Sequence, residues 1–311
     1  MHTLICGSMA YDTIMVFHDR FRSHILPDQL HILNVSFLVP DMRREYGGCA
    51  GNIAWSLHQL GGSPLAMATV GEDFGPYAAR MDALGLSRAH VTPVAGSFTA
   101  QAFITTDLDD NQITAFHPGA MTQSHRNHVA DATGVGLGIV SPDGRDGMLQ
   151  HAREFREAGI PFVFDPGQGL PMFGGAELSE FIDLADYVTV NDYEARLVQD
   201  KTGETVEALA RRVRAFVVTR GASGSTVWHE GRETHIPPVT PEAVVDPTGC
   251  GDAYRGGILY GISEGLDWAT TGRLASLMGS LKIARRGAQN YQASREEIAT
   301  RYEEAFGTRP W

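Results

Sequence analysis

The segment Val245-Asp246-Pro247-Thr248-Gly249-Cys250-Gly251-Asp252-Ala253-Tyr254-Arg255-Gly256-Gly257 carries the strongest chemical signal. An apolar stretch ends, a proline fixes a turn, and Gly249 and Gly251 bracket one small residue before an acid opens a helix. Glycines let backbone N–H groups turn inward on one spot. A helix N-terminus adds unpaired donors and a positive dipole end. The amides of Gly249, Cys250 and Gly251 would together cradle a negatively charged, transferring phosphoryl group. Asp252, at the edge of that cradle, can accept a proton from an attacking hydroxyl. An acid here can also serve as nothing more than a helix cap. No Gly-Lys-Ser/Thr follows, so the loop is not a Walker A motif.

Such a loop needs a scaffold, and the rest of the chain supplies alternating strands and helices. Strand-like runs are Leu4 to Cys6, Thr13 to Phe17, His31 to Val39, Leu65 to Val70, Gly138 to Val140, Pro161 to Phe164, Tyr187 to Val190 and Phe216 to Thr219. Helical runs begin near Glu45 to Asn52, stopping at Gly61-Gly62, and at Tyr77, Gly147 and Ala176; most of the chain after Asp252 is helical too. Crossovers of this length predict an α/β fold with a mostly parallel sheet and helices on both faces. The segments 13–40 and 99–117 break that rhythm, the second reading as a hairpin turning at Asp109-Asp110-Asn111. They predict a small β lid over the sheet edge, formed by two insertions in a single domain spanning 1–311. Ligands of open α/β sheets sit at the carboxyl ends of the strands. That singles out Ser8 with Asp12, Asp165 with Gln168, Asn191 with Glu194, and Thr219 with Gly221.

Composition narrows the function classes. The chain has 311 residues, 43% hydrophobic and 20% charged, enough apolar material for a large core. Its net charge of −12 gives no general field for nucleic acid or anionic membrane, so an anion must meet a local site. No apolar stretch approaches ~20 residues, and no basic leader opens the chain. Cys6, Cys49 and Cys250 form neither a disulfide framework nor a Cys-x-x-Cys site. A cytoplasmic protein is expected. The twelve histidines show no His-Glu-x-x-His pattern and read as ordinary side chains.

Asp-x-Thr-Gly-x-Gly-Asp at 246–252 resembles the C-terminal signature of the ribokinase-like carbohydrate and nucleoside kinases, the PfkB family. Gly47-Gly48 with Asn52 resembles that family's N-terminal Gly-Gly-x-x-x-Asn signature, and the likeness spans nearly the whole chain. It implies a Rossmann-like ribokinase fold with a small β-sheet lid. Gly7-Ser8-Met9-Ala10-Tyr11-Asp12, Ser36-Phe37-Leu38-Val39, Asp165-Pro166-Gly167-Gln168 and the Pro-Thr-Gly-Cys-Gly form of the loop are similar to the adenosine and broad-specificity nucleoside kinases of that family. The activity implied is transfer of the γ-phosphoryl of ATP to the 5′-hydroxyl of a purine nucleoside. A sugar kinase of the same fold, or a non-catalytic nucleoside sensor, are the rival readings.

The resemblance also assigns roles. Asp12 would accept from the ribose hydroxyls, as a carboxylate accepting two hydrogen bonds can, with Gly47, Gly48 and Asn52 on the other side of the sugar and Ser8 nearby. Phe103 and Phe116 would offer faces to the nucleobase, Gln168 would meet a purine edge, and Ser36 would reach in through the lid. Asn191, Thr219, Arg220, Gly221 and Gly224 would hold ATP, its adenine lying between this loop and helix 269–286 beside Ala275, Gly279 and Ala284. Glu194 would hold Mg²⁺ through water, although Asn-x-x-Glu is also a capping pattern. Asp246 and Thr248, with carbonyls around residues 286–289, would bind a monovalent cation, K⁺. Cys250 is expected to matter through its N–H rather than its thiol. A homodimer paired through the lid is expected.

Overall fold

The computed structural model describes residues 1–25, 35–109 and 111–311. In chain order the elements are β1 (His2–Cys6), β2 (Ala10–Val16), β3 (Asp41–Gly47), α1 (Cys49–Gln59), β4 (Pro64–Val70), α2 (Gly75–Ala83), β5 (Ser87–Pro93), β6 (Ala100–Thr106), β7 (Gln112–His117), β8 (Val135–Val140), α3 (Arg145–Glu157), β9 (Phe162–Phe164), α4 (Gly175–Leu184), β10 (Tyr187–Asn191), α5 (Asp192–Thr202), α6 (Val206–Ala210), β11 (Ala215–Thr219), β12 (Ser225–His229), β13 (Arg232–Ile236), α7 (Cys250–Ser263), α8 (Trp268–Ile283) and α9 (Arg295–Phe306).

Nine strands form one sheet in the order β13-β12-β11-β10-β9-β8-β1-β4-β5. All neighbours are parallel except β11–β12 and β12–β13. The central strands are near-continuous apolar runs, because helices bury both of their faces. One core lies under α1, α7 and α8, with Ile5, Ile53, Leu259 and Met278 fully buried. Another lies under α3 to α5, with Phe155, Phe164 and Phe181 fully buried. The chain leaves β1 toward β4 on one side and returns at β8 on the other, so the order reverses beside β1. A crevice opens at such a reversal. The two outer antiparallel strands join through Glu230-Gly231, both with positive φ (49° and 72°), the geometry of a two-residue hairpin turn.

The smaller sheet has the order β3-β2-β6-β7. At its edge the Asp107 carboxylate accepts from the amides of Phe21, Asp109 and Asn111. The strand expected at 31–39 is not where the sequence suggested. Residues 35–40 are irregular, 31–34 lie outside the described residues, and the strand is the polar run Asp41–Gly47. No helix among the described residues is long and apolar enough to cross a membrane.

Candidate active site

The loop entering α7 is shaped by Gly249, the N-cap, whose φ is +78°. A Cβ there would stand 2.7 Å from the Ala288 Cβ, so only glycine fits. The Cys250 N–H donates to the Pro247 carbonyl at 3.1 Å. The amides of Gly249, Gly251 and Asp252 have no such partner among the described residues and remain available to an anion. Burial pushes the Cys250 thiol up to about 11, so it stays protonated at neutral pH.

Asp252 lies in the first turn of α7. Asn52, from α1, donates its Nδ2–H to Asp252 Oδ2 at 2.8 Å. Burial pushes the Asp252 carboxyl up to about 6; the Asn52 hydrogen bond and Arg255 work against that rise, and Asp165 adds to it. The result is a carboxylate still ionised at pH 7 yet basic enough to take a proton.

Asn52 in turn belongs to a connected run of hydrogen bonds. Gln289 donates to Asn52 Oδ1 at 3.0 Å and to the Tyr77 hydroxyl at 2.6 Å, and that hydroxyl donates to the Gly47 carbonyl at 2.8 Å. Asn52 is thereby fixed in one amide orientation. Asp12, on β2, faces the same space, and its carboxyl is pushed up to about 6 by burial, then by the charges of Asp252, Asp246 and Glu45. Gly47 makes room for it, since a Cβ there would stand 2.6 Å from Asp12 Oδ2. Gly48 has φ +86°, and its Cβ would stand 2.6 Å from backbone atoms of Ser8, Met9 and Ala10. Ser8 Oγ accepts from the Cys49 N–H and so closes the start of α1.

Register separates the two aromatic candidates. Asp12, Ala102 and Phe116 share one row of the small sheet, so their side chains point to one face. Phe103 shares the next row with Thr13 and Ala115 and points to the opposite face. The expected pairing of Phe103 with the base therefore fails within one chain: alternation turns its ring away from Asp12. Ser36 is exposed on the irregular segment whose Phe37 packs against Phe17 and Phe21 at the far end of β2. Gln168 is exposed on the turn after β9 and bonds to nothing among the described residues.

Beneath Asp252 lies a buried ion pair. Arg255, one helical turn along α7, donates Nε–H and Nη2–H to the two oxygens of Asp165 at 3.1 and 2.9 Å. Burial works against the Arg255 charge, but the Asp165 carboxylate more than offsets it. Its Nη2 is also 3.8 Å from Glu194 Oε2. Glu194 and Asn191 form a capping box on α5, each side chain accepting from the other's backbone N–H at 2.7 and 2.8 Å. Sequence reasoning missed Arg255 as a site residue. Its spacing of three from Asp252, which puts both on one helix face, was the available signal.

A cleft of about 290 Å³ runs from Cys250 and Gly251 between the turn after β11 and α8. Thr219, Gly221 and Gly224 line it, as does Gly279. Arg220 does not: its guanidinium bonds to Thr226 and lies over the Trp228 ring. Ala275 instead packs against Gly257, and Ala284 faces a separate hollow. The apolar walls are Pro238, Val239, Pro241, Val244 and Ile283, mostly from the loop after β13, which the sequence did not single out.

The oxygens of Asp246 are already engaged. Its carboxylate accepts from the Thr248 and Gly287 amides at 2.9 and 2.8 Å, and its carbonyl accepts from Lys282 Nζ at 2.7 Å. The expected monovalent-cation site at Asp246 and Thr248 therefore does not fit: a lysine ammonium stands against it.

Residues 9–295 match the pfkB family carbohydrate kinase model. A nucleoside kinase of Methanocaldococcus jannaschii is 27% identical over 272 residues, covering 87% of this chain and 89% of that protein. The structure of a nucleoside kinase from Burkholderia thailandensis in complex with inosine superposes with a TM-score of 0.90 at 59% identity, covering 99% of both chains. A second structure of that protein, in complex with ADP-inosine, has a TM-score of 0.88 at 61% identity, covering 99% of this chain and 97% of that one.

Proposed function

We infer that this chain, which belongs to the pfkB family of carbohydrate kinases, is an ATP-dependent nucleoside kinase: it moves the γ-phosphoryl group of ATP to the 5′-hydroxyl of a purine nucleoside such as adenosine or inosine, releasing the nucleoside 5′-monophosphate and ADP. The observation that carries this reading is the Asn52–Asp252 hydrogen bond of 2.8 Å. It holds a base between the acceptor groups around Asp12 and a cleft that opens at the unpartnered amides of Gly249 and Gly251. The names of the similar proteins, and the inosine in one of them, support a nucleoside acceptor.

In this reading Asp12 accepts from the ribose hydroxyls and Phe116 lies on the nucleobase side. Asp252 takes the proton of the 5′-hydroxyl as it attacks, and the Gly249 and Gly251 amides receive the charge of the transferring group. The donor lies along the cleft, with its phosphates toward Cys250 and Gly251. Mg²⁺, brought with ATP, would be held through water by Glu194 and would offset the phosphate charge. One carboxylate suffices, and among the described residues no three His, Cys, Asp or Glu side chains are grouped to hold a metal. The small sheet, acting as the lid, excludes water when it closes.

Dimerisation through the small sheet belongs to the same proposal. Met42, Phe103 and Ile113 are exposed and share the face turned away from Asp12, an apolar surface suited to a second copy. A cytoplasmic location is supported by three free cysteines. The test is ADP release with ATP and Mg²⁺ against adenosine, inosine, guanosine, cytidine and ribose in parallel. Purine nucleosides should turn over fastest. Ribose as the only acceptor would make the chain a sugar kinase, and nucleoside binding without ADP release would make it a sensor.

A further inference from the structure

Lys282 is the one lysine or arginine with no exposure at all among the described residues. It sits in the last turn of α8, where the helix dipole favours a cation. Its ammonium donates to the Asp246 carbonyl at 2.7 Å and to the Arg285 carbonyl at 3.2 Å, and lies 4.0 Å from Asp246 Oδ1. Around it, the amides of Val245 and Asp246 donate to the Ile283 carbonyl, and the Gly287 amide donates to the Asp246 carboxylate. All of these bonds except the one to Arg285 join the loop that starts the catalytic turn to the chain leaving α8.

A buried ammonium persists only where oxygens replace its water. Here those oxygens are main-chain carbonyls and a carboxylate drawn from two loops, the donor set that also suits a weakly hydrated monovalent ion. The loop it fixes carries Gly249 and Gly251, whose amides must aim at one point. We propose that the Lys282 ammonium is a built-in monovalent cation, a positioning residue that sets the anion-binding loop and makes turnover independent of potassium. The inference rests on the kinase reading.

The first test uses the unaltered enzyme. With ATP, Mg²⁺ and a purine nucleoside, replacing K⁺ by tetramethylammonium should change kcat by no more than about two-fold. The second uses Lys282→Met and Lys282→Ala, checked for folding by circular dichroism. Lys282→Met should lose about 10²-fold in kcat, the scale of a small misplacement of catalytic groups, with nucleoside Kd unchanged. Lys282→Ala should recover about ten-fold or more, saturably, on addition of methylammonium or K⁺. A purely structural lysine would not give that recovery. Saturable activation of the wild type by K⁺ beyond about two-fold would overturn the proposal, and so would a Met variant with full turnover or a folded Ala variant that no cation rescues. The salt series decides the matter even if neither variant folds. Absence of turnover in every salt would overturn the kinase reading together with this one.

Discussion

On the proposed acceptor side, Asn52, Tyr77, Gln289 and Asp252 hold one another through side-chain hydrogen bonds, Asp12 faces them as a second buried carboxylate, and glycines clear the space between them. On the donor side, the cleft beyond Cys250 is walled by proline, valine and isoleucine and floored by glycine and serine. The difference follows from what each side must do. A transferred proton and a particular hydroxyl require fixed acceptors, because catalysis depends on orientation to within a fraction of an ångström. A purine ring on the donor requires an apolar slot, which shape alone supplies. Removing a polar group on the first side should therefore act on chemistry or acceptor affinity, and carving the second side should act on the donor alone.

The largest effect expected is at Asp252. Asp252→Asn should lower kcat by about 10²–10⁴-fold while calorimetry shows nucleoside binding nearly intact; full turnover would remove the base from the scheme. The wild-type kcat/KM should fall on the acid side of about pH 6, because the carboxylate must be ionised to act and burial sets its pKa there. Stability should move the opposite way. The folded pKa lies above the ordinary 3.8, so charging the buried group disfavours the fold as pH rises through that window. The Asn variant should thus melt above the wild type at pH 8, with the gap closing toward pH 4.

Gln289→Leu comes next. It leaves Asn52 Oδ1 and the Tyr77 hydroxyl each without a donor, a loss of about 1–3 kcal/mol. The nucleoside KM should rise about ten-fold or more with the ATP KM unmoved. Equal rises in both would break the contrast between the two sides. Smallest is Val239→Ser in the donor cleft, where losing part of an apolar wall amounts to about 1 kcal/mol. The ATP KM should rise a few-fold and the nucleoside KM stay level; a change in the nucleoside value would show that the two sides are coupled through α8.

The same contrast explains what could be read from the chain before folding. The alternation of strands and helices foretold a mostly parallel sheet and six of its nine strands, since buried parallel strands are written as apolar runs; β5, β12 and β13 were not read. Gly47, Gly48, Asn52, Gly249 and Asp252 were legible because glycines and polar groups at fixed spacing are rare away from a site. Strand β3 was misplaced because the small sheet is half-solvated, so its strand is the polar Asp41–Gly47 while the apolar run before it is no strand over residues 35–39. Phe103 was assigned to the base because period-two alternation decides a face only once register is known. The Asp165–Arg255 pair and the Gln289 relay join residues 90 to 237 positions apart, and no local pattern encodes such meetings. The walls of the donor cleft were missed for the reason they work: prolines and valines in a loop look like any others.

The bond between Asn52 and Asp252 spans 200 positions of the chain. Polypeptides are made N-terminus first at about 5–20 residues per second. Asn52 therefore waits about 10–40 s for the carboxylate it must hold. In the kinase reading, a polypeptide still being translated has nothing to draw the proton until Asp252 is made, so ATP is safe from it until then.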